Sequence, residues 1–142
     1  MSVAPQWPLI LRAIVATLEG DAQLTALVGE HGVFHMTQGV ERRVPGIGYQ
    51  LIYEGRGDVM DPVIVQIDHW ARATQQKTAL EVSAEIEARV MALLHSEARR
   101  DFGGWDMATL FVESRDMDDP KPGVVRRQMD FRFEPLRRRT HA

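Results

Sequence analysis

The chain has 142 residues, 44% hydrophobic and 26% charged, and its 17 Lys and Arg against 20 Asp and Glu leave a formal charge of -3. That length supports one buried core and excludes two ordinary domains, and the acidic balance argues against a protein that coats nucleic acid with its whole surface. Cysteine is absent, which excludes disulfides, thiolate nucleophiles and Cys-bearing zinc or iron–sulfur sites.

No apolar run approaches the ~18–20 residues that span a bilayer, and no signal-peptide pattern opens the chain. A soluble protein made in a reducing cytoplasm is expected.

Residues 8–19 predict a helix. Pro8 suits its first turn, and Leu11, Ile14, Val15 and Leu18 recur at spacings of three and four. Gly20 stops it, and Asp21 is placed to cap a second short helix that ends at Gly29. Val33 to His35 is a weak strand. Residues 36–46 form a loop with the charged trio Glu41, Arg42 and Arg43. Ile47, Tyr49, Leu51 and Tyr53 then alternate with more polar neighbours, as the inner face of a strand does. Residues 55–62 form a second polar loop with Arg56 and Asp58.

Val63 to Ala71 is the clearest strand, rich in β-branched residues. Val63, Val65 and Ile67 share one of its faces; Ile64, Gln66, Asp68 and Trp70 share the other. A long helix is expected over about 75–95, capped by Thr74, with a stripe of Val82, Ile86, Val90 and Leu93 backed by Ala79 and Leu94. Glu85 and Arg89 form an attractive i,i+4 pair. The run Phe102-Gly103-Gly104-Trp105 reads as a turn, residues 107–115 as a strand, 116–123 as an Asp- and Pro-rich loop, and 124–134 as the last strand.

These elements predict an α+β fold: a small two-layer sandwich, with a mostly antiparallel sheet of about four strands. One long helix and a shorter N-terminal helix cover one face. A single domain fills 1–142, with 1–7 and 136–142 expected to be flexible.

Catalytic signatures are missing: the zinc-protease, P-loop and nucleophile-elbow motifs do not occur. Gly55-Arg56-Gly57 begins a glycine-rich phosphate loop but opens no helix, and the Arg56-Gly57-Asp58 tripeptide is short enough to arise by chance. The histidines are His31, His35, His69, His95 and His141, and Asp68 next to His69 points to the opposite strand face, so no metal site is expected. Asp116, Asp118 and Asp119 lack the spacing and terminal Glu of a calcium loop. Asp68, Glu113 and Asp130 are the carboxylates on strands that an acid–base enzyme would use, yet nothing places them in a pocket. We expect no enzyme, cofactor or metal.

Arginine carries more information. Lys occurs only at 77 and 121, whereas six Arg lie between 126 and 139. Arg is suited to bidentate carboxylate or phosphate contacts. Salt bridging at subunit contacts plus a loose basic end is the favoured reading; contact with DNA, or a DNA-binding regulatory module built on the C-terminal cluster, is the alternative. Trp70 ends a strand on its polar face, as an interface aromatic would.

Several blocks resemble the siphophage tail-completion family, which includes tail terminators and head–tail joining proteins and has relatives in prophages and gene transfer agents. They are the N-terminal helix with "ALVG" at 26–29, "VPGIGYQLI" with Pro45 and Tyr49, "VIVQIDHWARATQQKTALEVSAEIEARVMALL", and "VVRRQMDFRFEP" with Arg126-Arg127 ahead of Asp130-Phe131. The similarity spans roughly Leu9 to Pro135; Arg137, Arg138 and Arg139 lie beyond it. The resemblance implies a structural virion protein, with no reaction, that forms a homo-oligomeric ring, typically a hexamer. Such a ring ends the tail tube, docks to the head connector or stopper protein, and lets DNA pass through its centre. The tail tube protein, the connector and transient DNA are its partners. The head-proximal end of the tail is its location after synthesis in the host bacterial cytoplasm, and no membrane is involved. A head-side adaptor or a tail-tube subunit is the variant reading. Glu41, Arg42, Arg43, Arg56, Asp58, Trp70, Arg126 and Arg127 are the expected subunit or partner contacts. Arg137, Arg138 and Arg139 are the candidate contacts with tail, connector or DNA.

Overall fold

A computed structural model describes residues 7–37, 42–53 and 62–138. Among these, three helices lie over one six-stranded mixed sheet. The elements run α1 (Trp7–Glu19), α2 (Ala22–Val28), β1 (Val33–His35), β2 (Gly46–Tyr53), β3 (Val63–Arg72), α3 (Ala79–Leu94), β4 (Ser96–Phe102), β5 (Trp105–Met117) and β6 (Val124–Arg138).

The spatial order is β1-β2-β3-β6-β5-β4. All neighbours are antiparallel except β1 and β2, which are parallel. The expectation of about four strands is therefore too low. β4 escapes the sequence reading because SEARRDF has little β-branched content and its ladder to β5 is irregular between Ser96 and Arg100. The signal that finds it is the Gly-Gly turn. Gly103 and Gly104 have φ of 66° and 87°, the paired left-handed geometry of a two-residue hairpin, which requires a strand on each side.

The alternation expected through Tyr53 also breaks. The register shifts between Leu51 and Tyr53, and Ile52 and Tyr53 are both exposed. A bulge inserts one residue and ends the period of two. At the other end of the chain, β6 continues past the expected Glu134. Arg137 and Arg138 pair with Asp106 and Trp105 of β5, so the chain expected to be flexible from 136 onward is in the sheet through Arg138.

The helix boundaries shift too. The cap of α3 is Thr78, not Thr74. Its side chain accepts from the Glu81 N–H, and Glu81 reaches back to the Thr78 N–H, a reciprocal capping box written in the sequence as Thr-x-x-Glu. Thr74 instead accepts from the Gln76 and Lys77 N–H groups in the preceding turn. The buried stripe of α3 is Val82, Ser83, Ile86, Val90 and Leu94, with Leu93 only partly buried. Arg89 turns away from Glu85 and makes a bidentate pair with Asp21, at 2.6 and 2.9 Å. Asp21 still caps α2 through the Leu24 N–H, and the Arg89 hydrogen bonds hold its carboxyl below the ordinary value.

The core lies between the helices and one sheet face. Ile10, Ile14 and Leu18 of α1 join the α3 stripe over Val65 and Ile67 of β3 and Met129, Phe131 and Phe133 of β6. On the opposite face of β3 and β6, Gln66, Asp68, Trp70, Gln128 and Asp130 are buried by the side chains beside them, while Arg126 is half-buried and Arg132 is exposed.

Candidate functional site

The sheet face away from the helices carries the densest polar cluster. Strand alternation puts Gln66, Asp68 and Trp70 of β3 on it. Antiparallel register sets Asp130, Gln128 and Arg126 of β6 opposite them in turn, with Glu113 and Arg115 of β5 beyond. Asp68 is fully buried at the centre. Its Oδ2 accepts from Arg126 Nε at 2.9 Å and Nη2 at 2.6 Å, and its Oδ1 accepts from Gln66 Nε2 at 2.8 Å. Arg115 bridges Glu113 at 2.6 Å and Asp130 at 3.4 Å and donates to Gln128 Oε1.

An aromatic stack flanks this network. The Arg126 guanidinium lies 5.2 Å from the Trp70 ring centroid, Trp70 stacks on Phe34 of β1 at 5.5 Å, and Arg43 covers Phe34 at 5.5 Å. Such cation–π contacts favour the planar Arg over Lys. Gly48 of β2 makes room for the stack: a Cβ there would sit 2.6 Å from Met36 Cγ and 3.1 Å from Trp70 Cζ3.

Three expected contact residues, Arg43, Trp70 and Arg126, are thus brought together. Arg42 lies nearby and pairs at 2.9 Å with Asp119, 77 positions along the chain. Arg127 is separated from Arg126 by the sheet itself. It faces the helices, where it meets Glu87 at 3.3 Å, Asp116 at 2.6 Å and Ser114 at 2.7 Å. Glu41, Arg56, Asp58 and Arg139, and also His141, lie outside the described residues. Strand alternation puts Gln66 beside Asp68 and Trp70 and marks Asp68, Glu113 and Asp130 as strand carboxylates, but it does not single out Gln128, Arg115 or Phe34. Their period-two placement on three strands is a signal; their partnership depends on register.

The chemistry of the face is set by its pairing. Asp68 is committed to Arg126, and Glu113 and Asp130 share Arg115, so no two bare carboxylates confront each other. Asp130 Oδ1 and Trp70 Nε1 are buried without a hydrogen-bond partner among the described residues. A preformed, nearly charge-balanced face with an unused acceptor and donor is suited to meeting another protein surface. Among the described residues, no three His, Asp or Glu side chains converge as a metal site, and no helix is long and apolar enough to cross a membrane.

Under α3 a second cluster centres on His69, whose Nε2 lies 2.7 Å from Ser83 Oγ. Burial pushes the ring down to about 4 from an ordinary 6.5; the Glu87 charge opposes this, Arg127 adds to it and Asp68 opposes it. The folded protein thus keeps His69 neutral where the unfolded chain binds a proton. Stability from this group is complete above pH ~6.5 and declines as pH falls toward ~4, by roughly 3 kcal/mol in all. Urea titrations of the parent and of His69→Gln at pH 7 and 4.5 test this. The parent should lose more stability than the variant on acidification; equal losses would remove His69 as the cause.

No protein-family model matches the chain, and no curated protein matches it. The fold it defines, helices on one face of a six-stranded mixed sheet, does occur in a solved structure. The similar chain belongs to the virion of a native gene transfer agent particle, with a TM-score of 0.62 at 19% sequence identity, over 87% of this chain and 92% of that one. The likeness is one of fold.

Proposed function

We propose that this chain is a non-catalytic structural component of a phage-type or gene transfer agent virion. In this reading it assembles as a ring, typically of six copies, at the head-proximal end of the tail. The ring ends the tail tube and joins it to the head connector or stopper protein, and DNA passes through its centre. The observation that carries the reading is the shared fold with a virion component across nearly the full length of both chains. The blocks that resemble tail-completion proteins point the same way.

The helix-free face supports contact between copies. A repeated head-to-tail contact closes into a ring when its rotation fits. Arg126 and Arg127 are engaged by carboxylates of their own chain, which favours a protein-contact role for this strand over one on DNA phosphates.

Deletion of the gene, with electron microscopy of the resulting particles, tests the proposal. Filled heads without tails, beside free tubes of uncontrolled length, are expected. Restoring the gene should bring back uniform tails with a ring of density at the junction. Joined particles with tails of normal length in the deletion strain would refute the terminator role.

A further inference from the structure

The two halves of α3 are held to the molecule by different chemistry. In the first half the polar attachments are titratable or lean on titratable groups. Ser83 Oγ lies 2.7 Å from His69 Nε2 of β3. One turn on, Glu87 accepts from Arg127 Nε of β6 at 3.3 Å and from Ser114 Oγ of β5. Val82 and Ile86 add the apolar contacts of this half.

The second half is clamped by groups that mild acid leaves unchanged. Arg89 makes its bidentate pair with Asp21 of the α2 cap. The Asp21 carboxyl is held below its ordinary 3.8 and stays ionised at pH 4.5. The Leu93 and Leu94 carbonyls accept from Arg100 Nη2 at 3.0 and 3.3 Å, and Leu94 O also accepts from Thr109 Oγ1. Val90 and Leu94 have no exposed surface.

His69 has no exposed surface either, and charges surround it on four elements. Arg127 is its cross-strand neighbour on β6, Glu87 faces it from α3, Asp68 adjoins it on β3, and Asp116 of β5 holds Arg127. Ile47, its neighbour on β2, is uncharged. A second proton on the ring would sit beside the Arg127 guanidinium, while Glu87 is already engaged by Arg127 and Ser114. It would also make a donor of Nδ1, which is buried without an acceptor among the described residues.

We infer that residues 79–87 form a flap that acid releases from the sheet, with protonation of His69 as the trigger and the second half of α3 as the fixed hinge. A freed stretch this short does not stay helical alone, so it unwinds as it lifts and bares Val82 and Ile86. In the open form the ring meets water and titrates near 6.5; in the closed form burial holds it at about 4. Above pH ~6.5 the opening constant is level. Below it the constant rises by up to tenfold per pH unit, roughly 60-fold in all between pH 7 and pH 4.5. The flap is a local event, separate from the loss of overall stability, and it does not depend on the virion reading.

Amide hydrogen exchange on the whole chain, followed by NMR from pH 7 to pH 4.5, is the test. After correction for intrinsic exchange rates, protection at residues 83–87 should fall roughly 60-fold, while protection at 90–94 changes by less than about fivefold. His69→Gln keeps an amide beside Ser83 and carries no titrating group, so the fall at 83–87 should shrink to a few-fold. Equal falls in both halves of α3 would mean that the chain opens as one unit, which overturns the inference. A fall at 83–87 in His69→Gln as large as the parent's overturns it too. If His69→Gln does not fold, the parent's pH profile decides. Protection at 83–87 should be level above pH ~6.5 and decline below it by no more than tenfold per pH unit; a level profile down to pH 4.5 overturns the inference.

Discussion

Ile86→Asp is expected to lower the unfolding free energy by roughly 5 kcal/mol or more, enough to leave a domain of ordinary stability largely unfolded at 25 °C. Ile86 has no exposed surface, and it sits at the middle of the α3 stripe between Val82 and Val90. Removing a large aliphatic side chain from such a site costs about 2–5 kcal/mol through lost transfer and the cavity left behind. Placing a carboxyl there adds a desolvation penalty, because the surrounding Val, Leu, Met and Phe side chains offer it no partner. Ile86→Val is the control: it deletes one methylene and should cost only about 0.5–1.5 kcal/mol. Circular dichroism during urea titration distinguishes them. An Ile86→Asp protein that unfolds with the parent's midpoint would mean that this face of α3 does not pack on the sheet.

Asp68→Ala should cost about 3–5 kcal/mol, although it removes a polar group from a buried site. The loss arises from what remains. Arg126 keeps its charge above Trp70, and the Gln66 and Gln128 amides lose their shared acceptor. Breaking one half of a buried ion pair is far worse than replacing both halves. The double variant Asp68→Leu with Arg126→Met should therefore regain most of the stability lost by Asp68→Ala. A four-member cycle of Asp68→Ala, Arg126→Ala, their combination and the parent measures the coupling directly. Near-zero coupling, with Asp68→Ala within about 0.5 kcal/mol of the parent, would show that the pair does not organise the helix-free face.

Local patterns were legible to the extent that they were local. The 3.6-residue spacing of Leu11, Ile14 and Leu18 marked α1, and the β-branched run from Val63 marked β3. The same alternation placed Asp68 and His69 on opposite faces, and they indeed meet Arg126 on one side and Ser83 on the other. Two features are written in the sequence by signals weaker than those of their competitors. Thr74 and Thr78 both precede the helix, and only Thr78 has Glu three residues on. β4 lacked the composition of a strand and was announced only by its hairpin glycines.

Period, cap and turn residues therefore determined which segments are helix or strand and which residues share a face. Those properties depend on sterics and hydrogen bonds among residues a few positions apart. Strand order, the parallel pairing of β1 and the charge partners were decided by the tertiary structure. Arg89 chose Asp21, 68 positions away, over Glu85 one turn away, and Arg126 found Asp68 across 58 positions. An exposed i,i+4 pair contributes only a few tenths of a kcal/mol, so a bidentate, partly buried alternative displaces it once the layers pack. Register alone brings Gln66, Asp68, Arg115, Arg126, Gln128 and Asp130 onto one face. A slip of one residue would turn each strand's set toward the helices.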